Sequence, residues 1–88
     1  MSATFQPRRF PFVTYDREAN AAYIYLRNVG YGEAAHTVVV DDSRTKSMIN
    51  LDLDAAGRLI GIEVLDATLS LPQALLDSAT CPGVEGTL

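Results

Sequence analysis

Five runs of alternating apolar and polar residues, followed by one short stretch with helical spacing, predict an α+β fold. The expected architecture is an antiparallel β-meander of about five strands with one C-terminal helix packed on one face. Three observations carry this reading. Within the runs between Phe10 and Leu65 the apolar pattern has period two, polar or glycine-bearing segments divide the runs, and the period changes at Ser70.

The first strand is expected at residues 10–15, with Pro11 placing its start at an edge or outside the ladder. Asp16-Arg17-Glu18-Ala19-Asn20 is a polar turn, in which Asp16 and Asn20 have the short side chains that bond nearby amides. Residues 21–26 form the second strand, with Ala22, Ile24 and Leu26 on one face and Tyr23, Tyr25 and Arg27 on the other. Gly30 and Gly32 mark a connection to a β-branched third strand at 36–41. Residues 42–46 are a hydrophilic loop, and the strand at 48–54 directs Ile49, Leu51 and Leu53 inward and Asn50, Asp52 and Asp54 outward. Asp54-Ala55-Ala56-Gly57 has the composition of a hairpin turn closed by a left-handed glycine. Its partner strand, 58–65, sets Ile60, Ile62 and Val64 against Leu59, Gly61, Glu63 and Leu65. A helix over 70–80 follows from the Ser70-x-x-Gln73 capping box, Pro72 in the first turn, and an apolar stripe of Leu71, Ala74, Leu75 and Ala79.

The chain has 88 residues, 48% of them hydrophobic and 20% charged, which suits one globular domain with a thin core. Residues 10–80 form that domain, between polar, proline- or glycine-bearing arms at 1–9 and 81–88. Seven Lys+Arg against eleven Asp+Glu leave a net charge of −4, which excludes binding driven by phosphate neutralisation, so no nucleic-acid partner is expected. No apolar run reaches the roughly 18 residues of a membrane span, and no signal-peptide core precedes Phe12. Cys81 is the one cysteine, a pattern expected of a reducing cytoplasm.

Two motifs in order carry a resemblance. Tyr15-Asp16-Arg17-Glu18-Ala19-Asn20-Ala21-Ala22-Tyr23-Ile24-Tyr25-Leu26, Asn50-Leu51-Asp52, and Gly57-Arg58-Leu59-Ile60-Gly61-Ile62-Glu63-Val64-Leu65-Asp66-Ala67 together resemble the small bacterial domain-of-unknown-function family 2283. Its pattern reads Y-D-x-E-x-D-x-x-Y-I, then D-x-x-G-x-(I/V)-x-G-I-E-(I/V)-L-x-A, and the likeness runs from about Val13 to Leu76. Asn20 departs from it, standing where Asp is usual, and the loop around Arg44 to Ser47 is longer than typical. The resemblance implies a compact meander with a terminal helix, and no assigned activity. It marks Tyr15, Asp16, Glu18, Asn20, Tyr23, Gly57, Gly61 and Glu63 as motif residues with mainly structural roles. Some members look like small partners encoded beside toxin-like proteins, which implies an antitoxin-like role.

No residue is assigned a catalytic, cofactor or metal role. Asn50, Asp52 and Asp54 at i, i+2 and i+4 invite a calcium reading, but Ala55 follows where the loop needs Gly, and Gly61 stands where it needs a bidentate Glu. A solvated strand face is the expectation. His36 lacks a neighbouring nucleophile signature, and Glu63 is expected to pair with Arg27 or Arg58. One helix covers only part of one face, so Tyr23, Tyr25, Val39, Met48 and Leu59 are the candidate interface on the other. The leading functional expectation is a non-enzymatic protein-interaction module acting as a homodimer through that face or an exposed edge, with a basic protein as a further partner. The alternative is a small-molecule-binding domain or minor enzyme using the Asp16/Glu18 turn and neighbouring tyrosines.

Overall fold

The computed structural model describes residues 9–30 and 32–82. Residues 1–8 and 83–88, most of the two expected arms, lie outside the described residues. Five strands form where the alternation predicts them: β1 (Phe12–Asp16), β2 (Ala21–Tyr25), β3 (His36–Val39), β4 (Ile49–Leu53) and β5 (Leu59–Leu65). β1 begins after Pro11, which has no N–H to give to a ladder. The β4–β5 turn is the expected one. Gly57 takes φ 86°, its N–H reaches Asp54 O at 2.9 Å, and Asp54 Oδ1 accepts from the amides of Ala56 and Arg58 at 3.0 and 2.9 Å.

All strand pairs are antiparallel, in the order β1-β2-β5-β4-β3. The meander is therefore not strictly sequential: β2 lies beside β5, and residues 26–35 carry the chain to the far edge before β3, β4 and β5 fold back inward. This connection is longer than the two to five residues of a tight hairpin. Its outcome suits the side chains, because β5 contributes Ile60, Gly61 and Val64 to the interior and takes the centre. The four residues of β3 are all exposed and take the edge. The β4–β5 register shifts between Asp52 and Leu53, so Leu59, not Ile60, faces Leu53.

After β5 the single expected helix is two: α1 (Ala67–Ser70) and α2 (Gln73–Ser78). Pro72 causes the break. A residue before proline is pushed out of the helical region, and Leu71 is extended at φ −110°, ψ 146°. The capping box does not form. The Ser70 hydroxyl meets that of Ser47, and Gln73 Nε2 donates to Asp77 Oδ1 at 2.9 Å. With the helix starting at Gln73, the buried position falls on Leu76 instead of the expected Leu75, and Ala74 faces solvent. Beyond α2 the chain is extended again, and Thr80 makes a parallel bridge to Thr14 on the outer edge of β1.

The core is small. Tyr15, Ala22, Val64, Ala67 and Leu76 form its buried cluster, with Val13, Ile49, Ile62, Leu71 and Ala79 against it. By the cross-strand register, every strand residue in this list lies on one face of the sheet, which is the face under the helices.

Candidate functional site

Apart from Gly57 in the β4–β5 turn, the motif residues fall in two places. The first is the β1–β2 turn, where Asp16 Oδ1 accepts from the amides of Glu18 and Ala19 at 3.1 and 3.2 Å. Asn20 closes the turn in the left-handed region at φ 52°, which Asn tolerates better than most residues. Its Oδ1 accepts from Tyr15 Oη at 2.9 Å and from Thr68 N at 3.2 Å, while Nδ2 donates to Thr68 Oγ1 at 3.0 Å. Its carbonyl accepts from Ala67 N at 2.9 Å. Asn20 thus ties the turn to the start of α1, and an amide can both donate and accept where a carboxylate would only accept. Glu18 is exposed beside it.

The second place is the sheet face away from the helices. Tyr23 on β2 faces Glu63 on β5, and Asn50 on β4 faces Glu63 from the other side. Gly61 faces both Tyr25 and Asp52. The missing side chain at Gly61 leaves a channel, and the Tyr23 ring fills it. A Cβ there would overlap the phenolic Oη and Cζ and stand 2.7 Å from Cε2. Lying across β5, Tyr23 donates to Asp52 Oδ2 at 2.6 Å, and Thr37 of β3 donates to Asp52 Oδ1 at 2.8 Å. One polar row therefore runs over β2, β5, β4 and β3.

Beside this row, Asn50 Nδ2 donates to Glu63 Oε1 at 2.9 Å, and Asn50 Oδ1 is buried without a donor among the described residues. A buried acceptor without a donor costs about 1–3 kcal/mol. Tyr25 meets Tyr23 edge-on, with centroids 4.6 Å apart, and stacks on Phe12 at 4.6 Å. Burial, the hydrogen bond to Asp52 and the negative charges of Asp52 and Glu63 push the Tyr23 phenol well above the usual tyrosine range. Held protonated, it is a donor and not a base.

Glu63 does not pair with the cations expected for it. Arg27 pairs with Glu33 at 3.1 Å and reaches Asp54 at 4.0 Å, across the strand ends. Among the described residues, no basic side chain lies within ion-pair reach of Asp52 or Glu63. Of the candidate interface, Tyr23 and Tyr25 are together. Val39, at the β3 edge, and Met48, just before β4, are 56% and 52% exposed. Leu59 is 40% exposed at the start of β5, opposite Leu53.

Sequence reasoning read Asn50 and Asp52 as solvated positions and gave Thr37 no role beyond its β-branched strand. The available signal was Gly61, an isolated glycine inside a β-branched strand, which marks a close approach. Among the described residues, no three or more His, Cys, Asp or Glu side chains are grouped to hold a metal ion. His36 and Cys81 are both exposed.

The fold and this face define a class: a small α+β domain with helices on one side of an antiparallel sheet and a polar, aromatic row on the other. Residues 13–67, more than half of the chain, match the family described as "Protein of unknown function (DUF2283)", and the chain belongs to that family. Neither a curated protein nor a solved structure matches it significantly. No helix among the described residues is long and apolar enough to cross a membrane.

Proposed function

We propose that this domain is a non-enzymatic protein-interaction module that works as a homodimer, two copies joining at the outer edge of β3. The observation that carries it is the state of that strand. β3 ends the sheet, all four of its residues are exposed, and Val38 and Val39 are 45% and 56% exposed. Val40 N donates inward to Ile49 O at 2.9 Å. Direction alternates along an antiparallel strand, so Thr37 and Val39 turn their N–H and C=O groups outward. Such an edge is a template for another strand, and proteins that stay monomeric protect it with charge, proline or a bulge.

The thin core points the same way. Six apolar residues are buried among those described, and a domain near seventy residues gains only about 3–5 kcal/mol from one core. The interaction reading stands ahead of the enzyme reading because Asp16 is engaged by its own turn and the Tyr23 phenol by Asp52. The net charge of −4 suits a basic second partner, as in an antitoxin-like pairing, and the exposed Cys81 thiol suits a bacterial cytoplasm.

Light scattering at micromolar concentration tests the dimer. The expected mass is about 19 kDa, twice the 9.5 kDa chain, falling to the chain mass in Val39→Lys with the circular dichroism spectrum retained. A monomer in the unsubstituted chain, or a dimer that survives Val39→Lys, overturns the β3-edge assembly.

A further inference from the structure

We infer that the helix-free face binds a guanidinium-bearing basic segment of a partner protein, the cation seated against the Tyr23 ring between the Asp52 and Glu63 carboxylates. This rests on the reading of the domain as an interaction module and names the chemistry of one of its surfaces.

Charge complementarity carries it. Asp52 and Glu63 sit on adjacent strands, in the Asp52–Gly61 and Asn50–Glu63 pairs two residues apart, and no described cation is within reach of either. Two carboxylates held at diagonal sheet positions repel each other, and a shared cation removes that repulsion. Their hydrogen-bonding capacity is only partly used. Each Asp52 oxygen accepts one bond, from Tyr23 or Thr37, and Glu63 accepts at Oε1 from Asn50, leaving Oε2 for a further donor.

Between them lies the half-buried Tyr23 ring, fixed across Gly61 by its bond to Asp52. A planar cation can rest on an aromatic ring while its N–H groups reach carboxylates at the rim. Guanidinium does both, whereas ammonium is a point donor with a stronger hold on its water. The site is already ordered in the free chain, so little rotamer entropy is lost on binding.

The test is a titration of the full-length, ¹⁵N-labelled protein with the blocked peptide acetyl-Gly-Arg-Gly-Arg-Gly-amide. Its controls are the same peptide with citrulline for arginine and the variants Glu63→Gln and Asp52→Asn. Glu63→Gln keeps the oxygen that accepts from Asn50, Asp52→Asn keeps one of its two acceptors and turns an NH2 to the other hydroxyl, which can accept, and dispersion of the amide spectrum verifies the fold.

Saturable shifts at the Tyr23, Asp52, Gly61 and Glu63 amides are expected in the millimolar range. They should be absent with citrulline and about tenfold weaker in binding in each variant. No saturable shift, equal shifts with citrulline, or a shift pattern unchanged by both variants overturns the inference. Two further outcomes would do so by naming another occupant. Shifts at these amides on replacing Arg8 and Arg9 with Gln, without peptide, identify the chain's own arginines, and shifts on simple dilution identify a second copy.

Light scattering on the same samples separates this from the β3 assembly. A dimer without peptide binding removes only the cation site, and a monomer that binds the peptide removes only the dimer.

Discussion

Gly61→Ala should destabilise the domain because of where Tyr23 lies, and the size of the effect follows from the contacts. The new methyl group would occupy the space of the phenolic Oη and Cζ, so the ring must leave the channel over β5 and release Asp52. A hydrogen bond to a charged acceptor contributes about 1.5–3 kcal/mol. Against that, Ala in a strand is better than Gly by about 0.5–1 kcal/mol. The net expectation is a loss of about 1–2 kcal/mol. With a urea slope of about 1 kcal/mol/M for so small a domain, the midpoint falls by about 1–2 M. Far-UV circular dichroism at one fixed protein concentration measures it, the fixed concentration being needed because dimerisation would couple to unfolding. The decisive comparison is the same substitution in a Tyr23→Ala background. With the ring gone, Gly61→Ala should stabilise by about 0.5–1 kcal/mol, a reversal of sign. An equal cost in both backgrounds, or a wild-type midpoint in the single variant, refutes the account of this face.

Two other substitutions probe the rest of the motif. Asn20→Ala removes the acceptor of Tyr15 and both side-chain bonds to Thr68, and puts a Cβ-bearing residue without a polar anchor at φ 52°. A loss of about 2–3 kcal/mol is expected in urea unfolding, with Asn20→Gly about 1 kcal/mol milder because glycine adopts left-handed φ freely. Tyr23 governs alkaline stability. Its folded-state proton is held more tightly than in the unfolded chain, so the unfolded state binds fewer protons once its own tyrosines ionise at about pH 10. The contribution is complete below about pH 10 and is lost as pH rises towards the folded value. Urea midpoints measured up to about pH 11 should fall more steeply for the natural chain than for Tyr23→Phe.

Local features of this chain were legible and distant ones were not. Period-two alternation located all five strands to within two residues, because a half-buried sheet imposes that period on any sequence that forms it. Gly57 was readable as a left-handed turn residue from Asp54-Ala55-Ala56-Gly57 alone. Strand order was not. A sequential meander is the usual arrangement of successive antiparallel strands, and nothing within residues 26–35 states that the chain crosses to the far edge. The helix was misplaced because two signals compete at Ser70-Leu71-Pro72-Gln73. The capping-box spacing favours continuity, and the steric effect of Pro72 on Leu71 prevails. The Tyr23–Asp52 contact joins residues two strands apart, 29 positions along the chain. It required both the order β2-β5-β4 and the empty position at Gly61.

That contact alters the meaning of the motif. A pattern written only for folding would stay in the core, where its Tyr15, Val64 and Ala67 lie at 7%, 2% and 0% exposure. Tyr23, Gly61 and Glu63 instead lie on the face without helices, and their identities are not interchangeable there. Gly61 must lack a side chain for the ring to cross, Tyr23 must carry a hydroxyl to reach Asp52, and Glu63 must accept from Asn50. Burying hydrocarbon explains none of these requirements, since most of the hydrocarbon is on the opposite side. Holding a negative, aromatic surface in one fixed geometry explains all three. The structural roles of Asp16 and Asn20 in the turn, and of Gly57 in the hairpin, then belong to a scaffold whose product is that surface.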